Sequence, residues 1–143
     1  MTTNTPNRIL LFRPPDPLQE SALLSHTRPM NLAYLAAVLR MSGFQVSIVD
    51  YETTSYSDRH LLNLIQAAQP AVAAFTSTTP TITSAARIAA AIKCHAPEIV
   101  TVIGGAHASA LPEQTLREFP AFDYLVHGEG GGSHVSGALH PGP

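Results

Sequence analysis

The sequence predicts an α/β domain built on a doubly wound parallel sheet, and three observations carry that expectation. Short runs of strand length are apolar nearly throughout, as strands covered on both faces must be. Longer stretches with helical spacing alternate with them. Glycine and proline punctuate the junctions between the two kinds of segment.

The elements follow in order. Arg8–Phe12 (RILLF) is a continuous apolar run and the first strand. Pro29 opens a helix that places Leu32, Leu35, Ala36 and Leu39 on one face, and Gly43 suits the position just past its end. Gln45–Asp50 is the second strand. Asp58 has the character of an N-cap for a helix that Pro70 stops at about Gln69. Ala71–Thr76 is the third strand and Thr81–His95 the third helix, ended by Pro97. Ile99–Ile103 is the fourth strand and runs into Gly104-Gly105. Pro112–Glu118 is a short helix and Tyr124–His127 the fifth strand. Right-handed crossovers and five strands fit the flavodoxin-like (Rossmann-like) order 2-1-3-4-5 with helices on both faces. Residues 1–130 are expected to form the domain. After Gly128-Glu129-Gly130 the chain loses periodicity, and residues 131–143 read as a disordered tail or a remnant of truncation.

Composition excludes several function classes. The 143 residues carry 8 Lys+Arg against 10 Asp+Glu, and 45% are hydrophobic. That balance opposes disorder and offers no basic patch for nucleic acid. No apolar run approaches the ~18 residues of a membrane span. The N-terminus MTTNTPNR lacks the features of a signal peptide. A single cysteine, Cys94, excludes a disulfide framework and a cysteine-only metal cluster. The expectation is a soluble, cytoplasmic domain.

In an open parallel sheet, ligands bind beyond the carboxyl ends of the strands. The loops there are Arg13-Pro14-Pro15-Asp16-Pro17, Ser77-Thr78-Thr79-Pro80, Gly104-Gly105-Ala106-His107 and Gly128-Glu129-Gly130. Three are small-residue or hydroxyl loops that would let a ligand approach the backbone. Each also has a plain structural explanation: the hydroxyls as helix caps, Gly-Gly as a tight turn, His107 as an exposed or capping residue. Asp50 could cap a helix or bind a ribose, but no G-x-G-x-x-G loop follows strand 1, which weakens dinucleotide and flavin readings. Thr76-Ser77 stand where a receiver domain would need its phospho-accepting Asp. In the third helix, Ala85, Ala86, Ala89 and Ala90 reflect helix propensity or else leave a slot facing the sheet for a long ligand tail, with Ala73 and Ala74 thinning the opposite wall.

Taken together, RPPDP, RPMNLAYLAAVLRMSGFQVSIVD, TSTTPTITSAARIAAAIK and VIGGAHASALPEQTLREFPAFDYLVHGEG resemble a known family. It is the N-terminal cobalamin-binding domain of cobalamin-dependent radical S-adenosylmethionine enzymes, a group that includes methyltransferases and the anaerobic magnesium-protoporphyrin monomethyl ester cyclase. The similarity covers about residues 8–130 and rests on GGxH, LPExxLxxFPxxDxxVxGEG and YLAAVLRxxG.

The resemblance implies cobalamin as cofactor, with Ser77, Thr78, Thr79, Gly104 and Gly105 admitting its nucleotide tail. The D-x-H-x-x-G cobalt-ligating motif is absent, and Arg13, Pro14 and Pro15 occupy its loop. Members of the group commonly lack that motif too, so the resemblance implies base-off binding without a histidine lower ligand. His107 and the Gly128-Glu129 loop would hydrogen-bond the corrin amides or the ribose-phosphate, with His26 and Arg28 near the rim. The resemblance also supplies a contrast: radical chemistry needs C-x-x-x-C-x-x-C, and Cys94 alone builds no iron–sulfur cluster. The expectation is a carrier module, or a fragment lacking its catalytic domain, that is not catalytic alone. Its partners would be a radical S-adenosylmethionine catalytic domain or a second copy. The alternative is a flavodoxin-like interaction or regulatory domain that binds no corrin.

Overall fold

Strands that pair in parallel with their neighbours must be joined through crossovers, and the computed structural model of the chain shows that architecture. It describes residues 7–18, 30–127 and 134–137. The elements are β1 (Arg8–Arg13), α1 (Met30–Met41), β2 (Gln45–Asp50), α2 (Asp58–Ala68), β3 (Val72–Thr76) and α3 (Ile82–His95). They continue with β4 (Val100–Gly104), α4 (Ala106–Ala110), α5 (Pro112–Glu118), β5 (Tyr124–His127) and β6 (His134–Gly137). The sheet order is β2-β1-β3-β4-β5-β6, so the expected parallel order 2-1-3-4-5 is present. To it is added one antiparallel edge strand, β6, with His134 paired opposite His127. That strand comes from the stretch expected as a tail. Four residues, HVSG, are too few to show alternation, and their placement comes from backbone pairing along the edge of β5.

Alternation along the strands sorts two cores. Leu10, Phe12, Ala73, Phe75, Ile103 and Leu125 face α2 and α3, where they pack with Leu61, Ile88 and Ile92. Ile9, Leu11 and Val46 face α1 and pack with Leu32 and Ala36. On the first face an aromatic row crosses the strands: Phe12 stacks on Phe75 at 4.9 Å, and Phe75 meets Phe122 edge-on at 5.8 Å. Tyr51 ends that row against Phe12, and its hydroxyl lies 3.0 Å from His60 Nδ1. Burial pushes the Tyr51 phenol up to about 12.

Helix boundaries depart from expectation in instructive places. Ser57, not Asp58, is the N-cap of α2: its hydroxyl accepts the His60 N–H at 3.1 Å. Asp58 is the first helical residue and accepts the Tyr56 hydroxyl at 2.7 Å, where its charge favours the helix dipole. Gln69 closes α2 in the left-handed region, φ 46°, just before Pro70. The short helix expected at Pro112–Glu118 is α5, and α4 precedes it unannounced because its five residues span barely more than a turn.

Candidate functional site

The carboxyl ends of β1, β3, β4 and β5 open onto one edge, and the loops there were the sequence candidates. The β3 and β4 loops interlock. Ser77 is 2% exposed. Its N–H donates to the Gly104 carbonyl at 3.0 Å, and its own carbonyl accepts the His107 N–H at 3.4 Å. Thr78 Oγ1 lies 3.2 Å from Thr81 Oγ1, which also accepts the Thr78 N–H at 2.9 Å. Thr79 Oγ1 meets His107 Nδ1 at 3.2 Å, joining the two loops across their tips. Ser77, Thr79, Gly104, Gly105 and His107 are thus brought together.

Gly105 explains how the loops come so close. Its φ is +100°, and an added Cβ would stand 2.5 Å from the Ser77 carbonyl oxygen. Only glycine fits that backbone at that distance. Gly104 is different: a Cβ there would meet the Val126 carbonyl oxygen at an ordinary 3.6 Å.

The start of the β1 loop is tied to the end of β2. Arg13 turns towards the end of β2, with Nη2 2.5 Å from Glu52 and Nη1 3.5 Å from Asp50. Burial raises the Glu52 carboxyl, against the lowering effect of the Arg13 charge. Asp50 also accepts the Glu52 N–H at 2.9 Å, so it organises the turn after β2. Pro14 is buried and Pro15 half-buried. Gly128, Glu129, His26 and Arg28 lie outside the described residues.

A groove of about 1030 Å³ opens beside the interlocked loops, on the α1 face of the sheet. Gly104 and Gly105 line it, whereas Ser77, Thr78, Thr79, His107, Arg13, Pro14 and Pro15 do not. Its floor is Leu11, Ala74, Val102 and Val126; α1 contributes Leu32 and Leu35 on one side, and α4 contributes Ala106 and Ala110. Sequence reasoning had Ala74 as a slot wall but missed Leu11, Val102 and Val126. Strands apolar on both faces conceal which face a helix covers.

The expected alanine slot on α3 is corrected by the same geometry. Ala85 and Ala89 are fully buried against the sheet in the α2/α3 core, while Ala90 is exposed. Their methyl groups let α3 sit close to the strands and fill the space. The groove lies across the sheet, under α1. Among the described residues no three His, Cys, Asp or Glu side chains gather as a metal site, and no helix is long and apolar enough to cross a membrane.

A doubly wound sheet with a groove at its carboxyl edge defines a ligand-binding class of α/β domain. Comparison with known proteins gives the family. The B12 binding domain profile matches residues 22–135, and the chain belongs to that family. It is 33% identical over 124 residues to the anaerobic magnesium-protoporphyrin IX monomethyl ester cyclase of Rubrivivax gelatinosus, covering 86% of this chain and 22% of that one. It is also 33% identical over 126 residues to an uncharacterised methyltransferase of Pyrococcus horikoshii, covering 86% of this chain and 27% of the other. The chain therefore spans about a quarter of the length of these relatives. The fold is similar, at TM-score 0.66 and 16% identity, to the cobalamin-dependent S-adenosylmethionine radical enzyme OxsB with aqua-cobalamin and S-adenosylmethionine bound. That similarity covers 84% of this chain and 16% of OxsB.

Proposed function

We propose that this chain holds cobalamin base-off at the carboxyl edge of the sheet, with the nucleotide tail lying in the groove beneath α1. The observation that carries the reading is the groove itself, continuous from the Gly104-Gly105 turn to an apolar floor. An aromatic lower base is flat and largely apolar, and Leu11, Ala74, Val102 and Val126 offer it a matching surface. Gly104 leaves room where the tail would pass the end of β4. Thr79 and His107 supply hydrogen-bonding groups at the rim, where Gly128 and Glu129 would add to them. Pro15, with the buried Pro14 behind it, would lie under the corrin as a rigid platform that offers no imidazole, so this loop would give cobalt no histidine lower ligand. Arg13 would hold that platform through its pairs with Asp50 and Glu52.

When bound, cobalamin supplies the cobalt chemistry; the chain supplies binding, orientation and the choice of axial ligand. On this reading the chain is a cytoplasmic cobalamin-presenting module. It serves a radical S-adenosylmethionine catalytic domain.

The test is spectroscopic. Purified protein is mixed with hydroxocobalamin, desalted, and its visible spectrum recorded. Retention of a base-off corrin spectrum is expected, and loss of all corrin absorbance overturns the reading. A base-on spectrum overturns the tail insertion. Gly104→Val fills the groove and lowers retention about ten-fold or more, whereas His107→Ala leaves the cobalt spectrum unchanged. A second reading, an interaction domain without corrin, is favoured by the outer face of α1, where Tyr34 is 75% and Met41 88% exposed. Absence of corrin together with a stable dimer would support it.

A further inference from the structure

We infer that the groove discriminates among corrinoids by the lower base of their nucleotide tail, favouring a benzimidazole over a purine. The inference rests on the proposed seating of the tail in the groove. The lining of the groove is mostly apolar. Thr76 and His127, the last residues of β3 and β5, Asn31 in the first turn of α1 and Ser109 in α4 are its polar members. The sheet side of the groove is hydrocarbon: Leu11, Ala74, Val102 and Val126.

The backbone beneath adds little to recognise. Leu11 pairs with Ala74 and Ala74 with Val102 in the parallel ladder, so the peptide groups of these strands are directed at each other in the plane of the sheet. A dimethylbenzimidazole presents methyl groups and ring carbons on the edge remote from its ribose. An adenine presents ring nitrogens and an amino group on the corresponding edge. In this groove those groups lose water and meet methyl and methylene surface in its place, a desolvation without compensation. Apolar sites reject such analogues by about ten- to a hundred-fold. Val102 and Val126, half-buried on adjacent strands, are the specificity-determining residues.

The experiment measures dissociation constants of the purified chain for three corrinoids: cobalamin, the cobamide with an adenine lower base, and cobinamide, which has no nucleotide tail. Cobalamin is expected to bind about ten-fold or more tightly than the adenine cobamide, and cobinamide more weakly than cobalamin. Val102→Thr, which keeps the shape and adds a hydroxyl, is expected to reduce the ratio of the first two constants at least three-fold. Val126→Thr provides the same measurement if Val102→Thr does not fold. Equal affinity for the two cobamides, with both tighter than cobinamide, overturns the selectivity and leaves the tail reading standing. Equal affinity for all three overturns the tail reading and the selectivity with it.

Discussion

At Gly105 an added Cβ would stand 2.5 Å from the Ser77 carbonyl oxygen and 2.7 Å from the Ser77 nitrogen, on a backbone with φ +100°. Gly105→Ala is therefore expected to destabilise the fold by about 3 kcal/mol, read from the urea unfolding midpoint. A midpoint within error of the parent would show that the β3 loop yields. Gly104→Ala is the internal contrast: its Cβ meets ordinary contacts, and stability should change by less than about 0.5 kcal/mol. The sequence presents both glycines alike, as a turn a ligand could approach. What separates them is contact with Ser77, a residue distant in the chain, which no local pattern encodes. Arg13 makes the same point. Its position at a strand end is plain in the sequence, but its pairing with Asp50 exists only because β1 and β2 align in register.

The alternation of strands with helices was legible because each β-branched run and each amphipathic stretch declares its own period. Where an element is short, or apolar on several faces, that signal fails. The five-residue α4 and four-residue β6 carry too few positions to show a period. In α3 the failure concerned direction: alanines at adjacent turns mark a close approach, but they do not say whether a helix or a ligand makes it. The structure answers with Ala89 at 0% exposure among Ile88, Ile92 and the strand residues of the α2/α3 core. Ala89→Leu should overpack that core and cost about 1–3 kcal/mol, lowering the thermal midpoint. It should leave cobalamin affinity within about two-fold of the parent, because the groove lies across the sheet. A large loss of affinity in a variant that still folds would return the tail to the α3 side.

Across the whole molecule the two ends of the sheet are built for different purposes. At the carboxyl edge the loops are small and the groove is open. Near the opposite edge a charged clasp ties the end of α3 to the starts of β4 and β5. Lys93 Nζ pairs with Asp123 and donates to the Ile99 carbonyl at 2.7 Å, while Asp123 accepts the Thr101 N–H at 3.0 Å. Burial alone would raise the Asp123 carboxyl; the Lys93 and Thr101 hydrogen bonds and the Lys93 charge together outweigh it and hold the group below its usual range. The sign of the pH effect follows. Between the depressed folded value and the ordinary aspartate value near ~3.9, the unfolded chain binds more protons, so stability rises with pH there. The contribution is complete above that window and is lost as pH falls through it. Glu52 acts in the opposite sense, since its raised folded value gives stability that is lost as pH rises. Comparison of the parent with Asp123→Asn isolates the clasp from it. At neutral pH the variant should be less stable by about 1 kcal/mol. The gap should hold above the ordinary aspartate value and narrow as urea midpoints are followed below it, as the parent's carboxyl takes up its proton. A gap that stays constant across that range would mean that the clasp holds through its geometry, and that the charge on Asp123 contributes nothing.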